Sequence, residues 1–118
     1  MPNVWEVTKP DTKQQRQTLP PSKLPFPPTN YRIKTAGRLA TLFLDTFGFD
    51  ATVSPWRTIY IRERFKNDQA LLNHEMAHIA QIDRDGSLKF WTLCIWYYLR
   101  YGHKNSPIEI EARRYEAQ

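Results

Sequence analysis

Two histidines separated by three residues, His74 and His78, are the side chains of this sequence best placed to do chemistry. Residues four apart on an α-helix lie on the same face, one turn from each other. Two imidazoles placed in this way can bind one metal ion, and imidazole combined with a carboxylate oxygen suits zinc. The segment His74-Glu75-Met76-Ala77-His78 therefore predicts a zinc site on a helix.

The glutamate inside this motif points to hydrolytic chemistry. Glu75 follows the first histidine by about 100° of helix rotation, so it is poorly placed to bind the same ion. It can instead contact a water on the metal and take the proton that the metal has acidified. The surrounding residues are apolar, which indicates a buried helix where unpaired polar groups are costly. The alternative is an accidental pentapeptide whose histidines make ordinary hydrogen bonds.

A catalytic zinc normally has three protein ligands and a water, so a third ligand must come from elsewhere in the chain. Arg84 stands where a third histidine would follow in a longer histidine motif, and His103 lies in a predicted turn. The better donors are Glu109 and Glu111, which face different sides of a predicted helix and cannot both serve. Glu109 also has a structural interpretation, because Ser106-Pro107-Ile108-Glu109 is a capping box.

The elements that must position these side chains follow from apolar periodicity and from turn residues. Apolar residues at three- and four-residue steps predict a first helix from Tyr31 to about Gly48. The β-rich segments 51–54 and 58–64 predict a hairpin, with 58–62 as an exposed edge strand.

Three more helices are expected after the hairpin. Asn67 or Asp68 caps a helix that runs to about Arg84 and is ended by Gly86. A third helix, about 88–101, is apolar nearly all round and is expected to be the central core element. A fourth begins at Ser106-Pro107. The order α, β-hairpin, α, α, α predicts an α+β domain that is mainly helical.

Composition limits what kind of protein this is. The chain has 118 residues and a net charge of +5, which allows one domain, and its basic residues are scattered, which argues against a nucleic-acid partner. The single cysteine, Cys94, excludes disulfides and a cysteine-rich zinc module. The longest apolar run, 90–99, is about half the ~20 residues that cross a bilayer. We therefore expect a cytoplasmic protein without a membrane span.

The N-terminal residues differ in composition from the rest. Seven of the nine prolines lie within 1–28, so residues 1–29 are expected to form an extended arm ahead of a domain at 30–118. Its apolar anchors are Trp5, Leu24 and Phe26. An arm of this kind could also lie in a cleft with Glu6 or Asp11 on the zinc, which would keep the protein latent.

The motif and the later glutamate resemble the gluzincin metallopeptidases, in which HExxH is followed by a glutamate ligand on a later helix. Residues 71–81 are similar to their active-site helix and 108–112 to their glutamate helix, in an E-x-x-A context. The resemblance covers about 58–118 and is to the minimal, minigluzincin-like kind. It implies a zincin-like fold in which His74, His78 and Glu109 bind Zn²⁺ and Glu75 activates water.

The same resemblance implies further roles and shows one departure. The family often has an acidic residue four after the ligand glutamate, where this chain has Arg113. A donor for the developing oxyanion could be Tyr101, His103 or Tyr115, and thermolysin-like relatives favour Tyr101. That residue has an alternative interpretation as the polar end of an aromatic core helix. A peptide substrate would pair along the 58–62 strand.

Two functions of different class are consistent with these residues. The first is a zinc-dependent metallopeptidase that acts on peptide or protein substrates. The second is a non-catalytic binding or adaptor protein on a zincin scaffold, with a structural zinc. The coordination of the metal distinguishes them, because a protein side chain in the fourth position argues against catalysis.

Overall fold

The computed structural model describes residues 23–118, which form three strands and four α-helices. In chain order these are β1 (Arg32–Thr35), α1 (Arg38–Phe47), β2 (Ala51–Val53), β3 (Thr58–Ile61), a 3-10 turn (Glu63–Phe65), α2 (Gln69–Asp85), α3 (Ser87–Tyr101) and α4 (Pro107–Arg113). The α+β class predicted from the sequence is confirmed.

The three strands form one mixed sheet in the order β1-β3-β2. The predicted hairpin is present, with β2 antiparallel to β3 and Val53 opposite Ile59. The prediction that 58–62 is an exposed edge strand is wrong. β1 pairs with β3 in parallel from Arg32 opposite Thr58 to Thr35 opposite Ile61, so β3 has a partner on both sides. Within the described chain, β1 and β2 are the edges of this sheet.

The first helix begins later than predicted, at Arg38, and residues 32–35 are a strand. A short apolar run such as that around Ile33 is compatible with a helix or with a strand, and the spacing of its apolar residues does not decide between the two. The backbone of β3 decides it by supplying hydrogen-bond partners from a distant part of the chain. The predicted end of the helix is confirmed, because Gly48 is its C-cap in the left-handed conformation, with φ of 71°.

Helix α2 is the central element of the domain. The Asp68 carboxylate accepts a hydrogen bond from the backbone N–H of Leu71 at 3.1 Å, and Gly86 follows the last turn, as predicted. Its buried residues include Asn73 and every residue from Glu75 to Ile82. The main apolar core comprises Val53, Ile59, Met76, Ile79, Ile82, Phe90 and Ile108.

The prediction that the third helix is the central core element is wrong. Only Phe90 of α3 is buried, whereas Ile95, Trp96 and Leu99 are 65%, 60% and 76% exposed. An apolar helix is buried all round only if other elements cover each of its sides. Within the described chain, α3 packs mainly against α2 and α4 and leaves the rest of its surface open.

The described end of the N-terminal arm packs on the domain. The backbone N–H of Leu24 donates to the Tyr115 hydroxyl at 3.1 Å, and the rings of Phe26 and Tyr115 are 4.9 Å apart. Leu24 and Phe26 are therefore anchors, as predicted. Trp5, Glu6 and Asp11, and with them the proposed block of the cleft, lie outside the described residues. Among residues 23–118, no helix has the length and apolarity that crossing a bilayer requires.

Candidate metal centre

The two histidines and one glutamate singled out by the sequence meet in the interior of the protein. His74 and His78 lie on successive turns of α2, with ring centroids 4.9 Å apart. Glu109 reaches them from the first turn of α4. Its Oε2 is 2.7 Å from Nε2 of His74, and its Oε1 is 3.0 Å from Nε2 of His78. His74 and His78 therefore share one face of a helix, as expected. A carboxylate from a later helix, that of Glu109, reaches both of them, as also expected.

The start of α4 explains why Glu109 is available to the histidines. Ser106 is the N-cap in an extended conformation and Pro107 occupies the first turn, as predicted. The Ser106 side chain makes no capping hydrogen bond, and the Glu109 carboxylate turns to the histidines. The capping-box interpretation of Glu109 therefore does not describe this helix.

The alternative ligand, Glu111, faces a different part of the protein. Its Oε1 accepts a hydrogen bond from Nε2 of Gln81 at 2.8 Å, and its Oε2 pairs with Arg84 at 2.7 Å. A two-residue step on a helix places side chains on different faces. The structure thus separates Glu109 from Glu111, which the sequence left as alternatives.

These three side chains could hold a metal ion. One ligand atom from each of His74, His78 and Glu109 lies within 4.8 Å of the other two, and all three residues are largely buried. Ligand atoms at roughly 2.0–2.1 Å from a tetrahedral ion are about 3.3 Å apart. Small rotations of these three side chains would bring their ligand atoms to that spacing. Two imidazole nitrogens and a carboxylate oxygen form a donor set suited to a transition metal.

Each histidine has a second partner that orients its ring. Nδ1 of His74 is 2.9 Å from Oε2 of Glu116, and Nδ1 of His78 is 2.9 Å from Oε1 of Gln81. A hydrogen bond at one ring nitrogen fixes the tautomer and leaves the other nitrogen, here Nε2, to bind a metal. Both histidines are therefore oriented for coordination through the nitrogen that faces Glu109.

Sequence reasoning missed both of these partners. Gln81 lies three residues after His78 on the same helix, so helical spacing could have indicated it. Glu116 lies beyond the end of α4, in turns that continue the helix, with its N–H donating to the Arg113 carbonyl at 3.3 Å. It stands seven residues after Glu109, so the spacing of two helical turns could have indicated it.

Arg113 stands at the position, four residues after Glu109, where the resemblance implied a supporting carboxylate. Its guanidinium donates to the Lys104 carbonyl. The support expected there comes from Glu116.

The charges of the cluster are balanced in the structure. Burial opposes ionisation of Glu109, but the neighbouring histidines and their hydrogen bonds hold its pKa well below the usual value. Burial likewise opposes protonation of His74, yet hydrogen bonds to Glu109 and Glu116 raise its pKa to about 10. The pKa of His78 is also raised against burial by the charge of Glu109. Protons on the two histidines thus supply the positive charge next to Glu109. A divalent cation would displace these protons when it binds.

Glu75 is buried beside this cluster, at the wall of a cavity that is described below. Burial raises the pKa of its carboxyl, and the positive charges of His78 and His74 reduce that rise in part. A general base is most effective when its pKa lies near the operating pH. The environment of Glu75 moves its pKa in that direction.

A cavity of about 370 Å³ opens onto the cluster. His74, Glu75, His78, His103 and Glu109 contribute to its wall, together with residues of α1, β2 and α3. Cavities of this size hold small ligands or substrate side chains. The cluster is consequently accessible to a molecule larger than water.

The structure brings His103, and not Tyr101, to this cavity. Nε2 of His103 is 3.7 Å from Oε2 of Glu109, and its ring lies 4.5 Å from that of Phe49. Tyr101 packs against Tyr97, with ring centroids 5.9 Å apart, and is not part of the cavity wall. The third sequence candidate, Tyr115, is buried against the arm.

No protein-family model, curated protein or solved structure matches the chain. The chemistry of the site follows from its own atoms. Two oriented imidazoles and an ionised carboxylate converge beside a buried glutamate, at the wall of an open cavity.

Proposed function

We propose that this protein is a zinc-dependent metallopeptidase of the gluzincin type. The observation that carries the proposal is the convergence of His74, His78 and Glu109 within 4.8 Å, in a cavity whose wall also includes Glu75. Two imidazoles and one carboxylate are the protein ligands of several zinc hydrolases, which keep a fourth position for water or substrate.

Each residue has a separate task in this proposal. His74, His78 and Glu109 would hold the metal, and Glu116 and Gln81 orient the two imidazoles. Zinc bound there would polarise a peptide carbonyl and acidify a water. Glu75 would be the base that accepts a proton from such a water, and burial raises the pKa of its carboxyl in the direction that favours this role.

His103 is the better candidate for donating a hydrogen bond to the developing oxyanion. It borders the cavity near Glu109, whereas Tyr101 does not. Burial lowers the pKa of His103, although the charge of Glu109 acts in the opposite direction. The neutral imidazole still carries one N–H that can donate. This assignment replaces the role that the sequence suggested for Tyr101.

The substrate backbone would pair with β2. The strand β3 has partners on both sides, so it offers no free backbone groups to a peptide. All three residues of β2, Ala51–Val53, line the cavity, and β2 is an edge of the described sheet. Addition of an extended peptide to such an edge gives affinity through main-chain hydrogen bonds.

The test is the substitution Glu75→Gln in the full chain, with an unfolded protein such as casein as substrate and mass spectrometry of the products. We expect cleavage by the zinc-loaded wild type and a loss of about 10²–10⁴-fold in the variant. Zinc content should remain at the wild-type level, because Glu75 is not a ligand. Glu63→Gln is the matched control, since Glu63 is exposed, pairs with Lys66 and does not line the cavity. Equal cleavage by wild type and Glu75→Gln would remove Glu75 from this role.

A non-catalytic, zinc-stabilised binding protein is the second candidate, and the position of His103 favours it. Its Nε2, 3.7 Å from Glu109, is close enough for His103 to become a fourth ligand after a small movement. Four protein ligands would close the site to water. In that case His103→Ala would weaken zinc binding by about 100-fold or more, and the wild type would cleave no peptide. For the peptidase, His103→Ala should lower turnover and leave zinc affinity nearly unchanged.

A further inference from the structure

An apolar groove runs between helices α1 and α3 and leads to the metal centre. On α3, Ile95, Tyr98 and Leu99 fall at helical steps of three and four, so they lie on one face. On α1, Phe43 and Phe47 are one turn apart. All of these residues, with Phe49, line the cavity that reaches the candidate ligands. We call these six residues the apolar groove.

Much of this apolar groove is open to solvent. Ile95 and Leu99 are 65% and 76% exposed, and Phe47 is 51% exposed. Apolar faces of this kind on two helices usually pack against other elements, but here both faces border the cavity. A contiguous exposed apolar surface beside a cleft is typical of a binding site.

The groove and the candidate metal centre belong to the same cavity. Phe90, Trp91 and Cys94 lie on α3 before the groove residues, and they line this cavity together with His78 and Glu109. The ring of Phe90 is 6.1 Å from that of His78. A molecule that fills the groove is therefore in position to contact the cluster. We take the occupant to be the molecule on which the site acts, because the groove and the candidate ligands line one cavity.

The lining also indicates the chemistry of that occupant. Apart from the titratable cluster of His74, Glu75, His78, His103 and Glu109, the residues that line the cavity are uncharged. A charged side chain placed in the groove would lose water without gaining a partner. Large apolar side chains would instead be stabilised by burial against these residues. A volume of about 370 Å³ lies within the range of ligand pockets.

We infer that the apolar groove binds the substrate and selects peptide segments that carry large aliphatic or aromatic side chains next to the cleaved bond. The inference rests on the proposed peptidase function, because it names the substrate class of that site. It requires that the groove residues determine binding even when Glu75 cannot act.

The experiment measures binding by calorimetry to the full, zinc-loaded Glu75→Gln chain, so that cleavage does not interfere. The probes are two peptides of equal length and charge, one rich in Phe and Leu and one with Ser at those positions. We expect the apolar peptide to bind at least tenfold more tightly. Ile95→Asp in the same background should remove most of this difference. Leu88→Asp is the matched control, because Leu88 is on the same helix, is 84% exposed and does not line the cavity.

The possible outcomes separate this inference from the proposed function. Equal binding of the two peptides, or equal effects of Ile95→Asp and Leu88→Asp, would overturn the inference. If wild type cleaved both peptides equally well, the peptidase proposal would stand and the selection of apolar segments would fall. If Ile95→Asp selectively weakened binding but wild type cleaved nothing, the groove would bind apolar segments without being a peptidase site. Concentration-dependent dimerisation, or binding to phosphatidylserine vesicles, abolished by Ile95→Asp would assign the groove to a different occupant and refute the inference.

Discussion

The carboxylate of Glu116 lies 2.9 Å from Nδ1 of His74, so this imidazole is held between two glutamates. The other ring nitrogen of His74 meets Glu109 at 2.7 Å. Glu116 is kept in place from α2, where the Asn73 amide donates to the carbonyls of Glu116 and Gln118 at 3.4 and 3.0 Å. The last residues of the chain are thereby part of the candidate metal centre and not an appendage to it.

Glu116→Ala should therefore weaken zinc binding by about 10–100-fold, the usual effect of removing a residue that orients a histidine ligand. The folded structure should persist, because Glu116 is only half-buried. Competition with a chromogenic chelator measures the affinity. Glu63→Ala, which removes an exposed carboxylate far along the chain, serves as the control. An affinity equal to that of wild type would show that Glu116 does not support His74.

The choice between the two candidate glutamates can be tested with a pair of identical substitutions. Glu109→Ala removes the carboxylate that meets both imidazoles, and we expect a loss of zinc affinity larger than about 100-fold. Glu111→Ala breaks contacts to Gln81 and Arg84 and should change the affinity by less than about tenfold. The reverse order of effects would make Glu111 the ligand. Isothermal titration with zinc measures both.

Removal of the metal should lower the stability of the folded domain. A ligand present at 100 times its dissociation constant stabilises the native state by about 2.7 kcal/mol. For a domain of this size, that corresponds to a drop in Tm of roughly 10 °C when a chelator is added. Differential scanning calorimetry with and without the chelator measures this change. An unchanged Tm for protein that contained one zinc per chain would contradict binding at the buried cluster.

The single cysteine should react slowly with alkylating reagents in the folded protein. Burial, aided by the charge of Glu109, raises the pKa of the Cys94 thiol to about 12, so little thiolate is present near neutral pH. At pH 8 we expect iodoacetamide to modify Cys94 at least about a hundredfold more slowly than a free cysteine of pKa ~8.5. The rate should rise with pH up to about 12, because the thiolate fraction grows. Mass spectrometry follows the reaction, and the chain in urea is the control that should react at the ordinary rate.

The local features of this protein could be predicted from the sequence because neighbouring residues determine them. The cap at Asp68, the stop at Gly48 and the start of α4 at Ser106-Pro107 depend on short-range hydrogen bonds and on the φ angles that each residue type allows. The pairing of His74 with His78 depends only on the helical repeat.

Other features depended on contacts between distant parts of the chain, so only the tertiary structure decided them. The pairing of β1 with β3 turned a predicted helical turn into a strand and placed β3 inside the sheet. The absence of a covering element in the described chain left much of α3 exposed, although its composition is that of a core helix. Glu109 and Glu111 are alike in sequence terms, and the packing of α4 against α2 brings only Glu109 to the histidines. Glu116 joins them because hydrogen-bonded turns continue from α4 to this residue, and the packing of α4 against α2 then brings its carboxylate to His74.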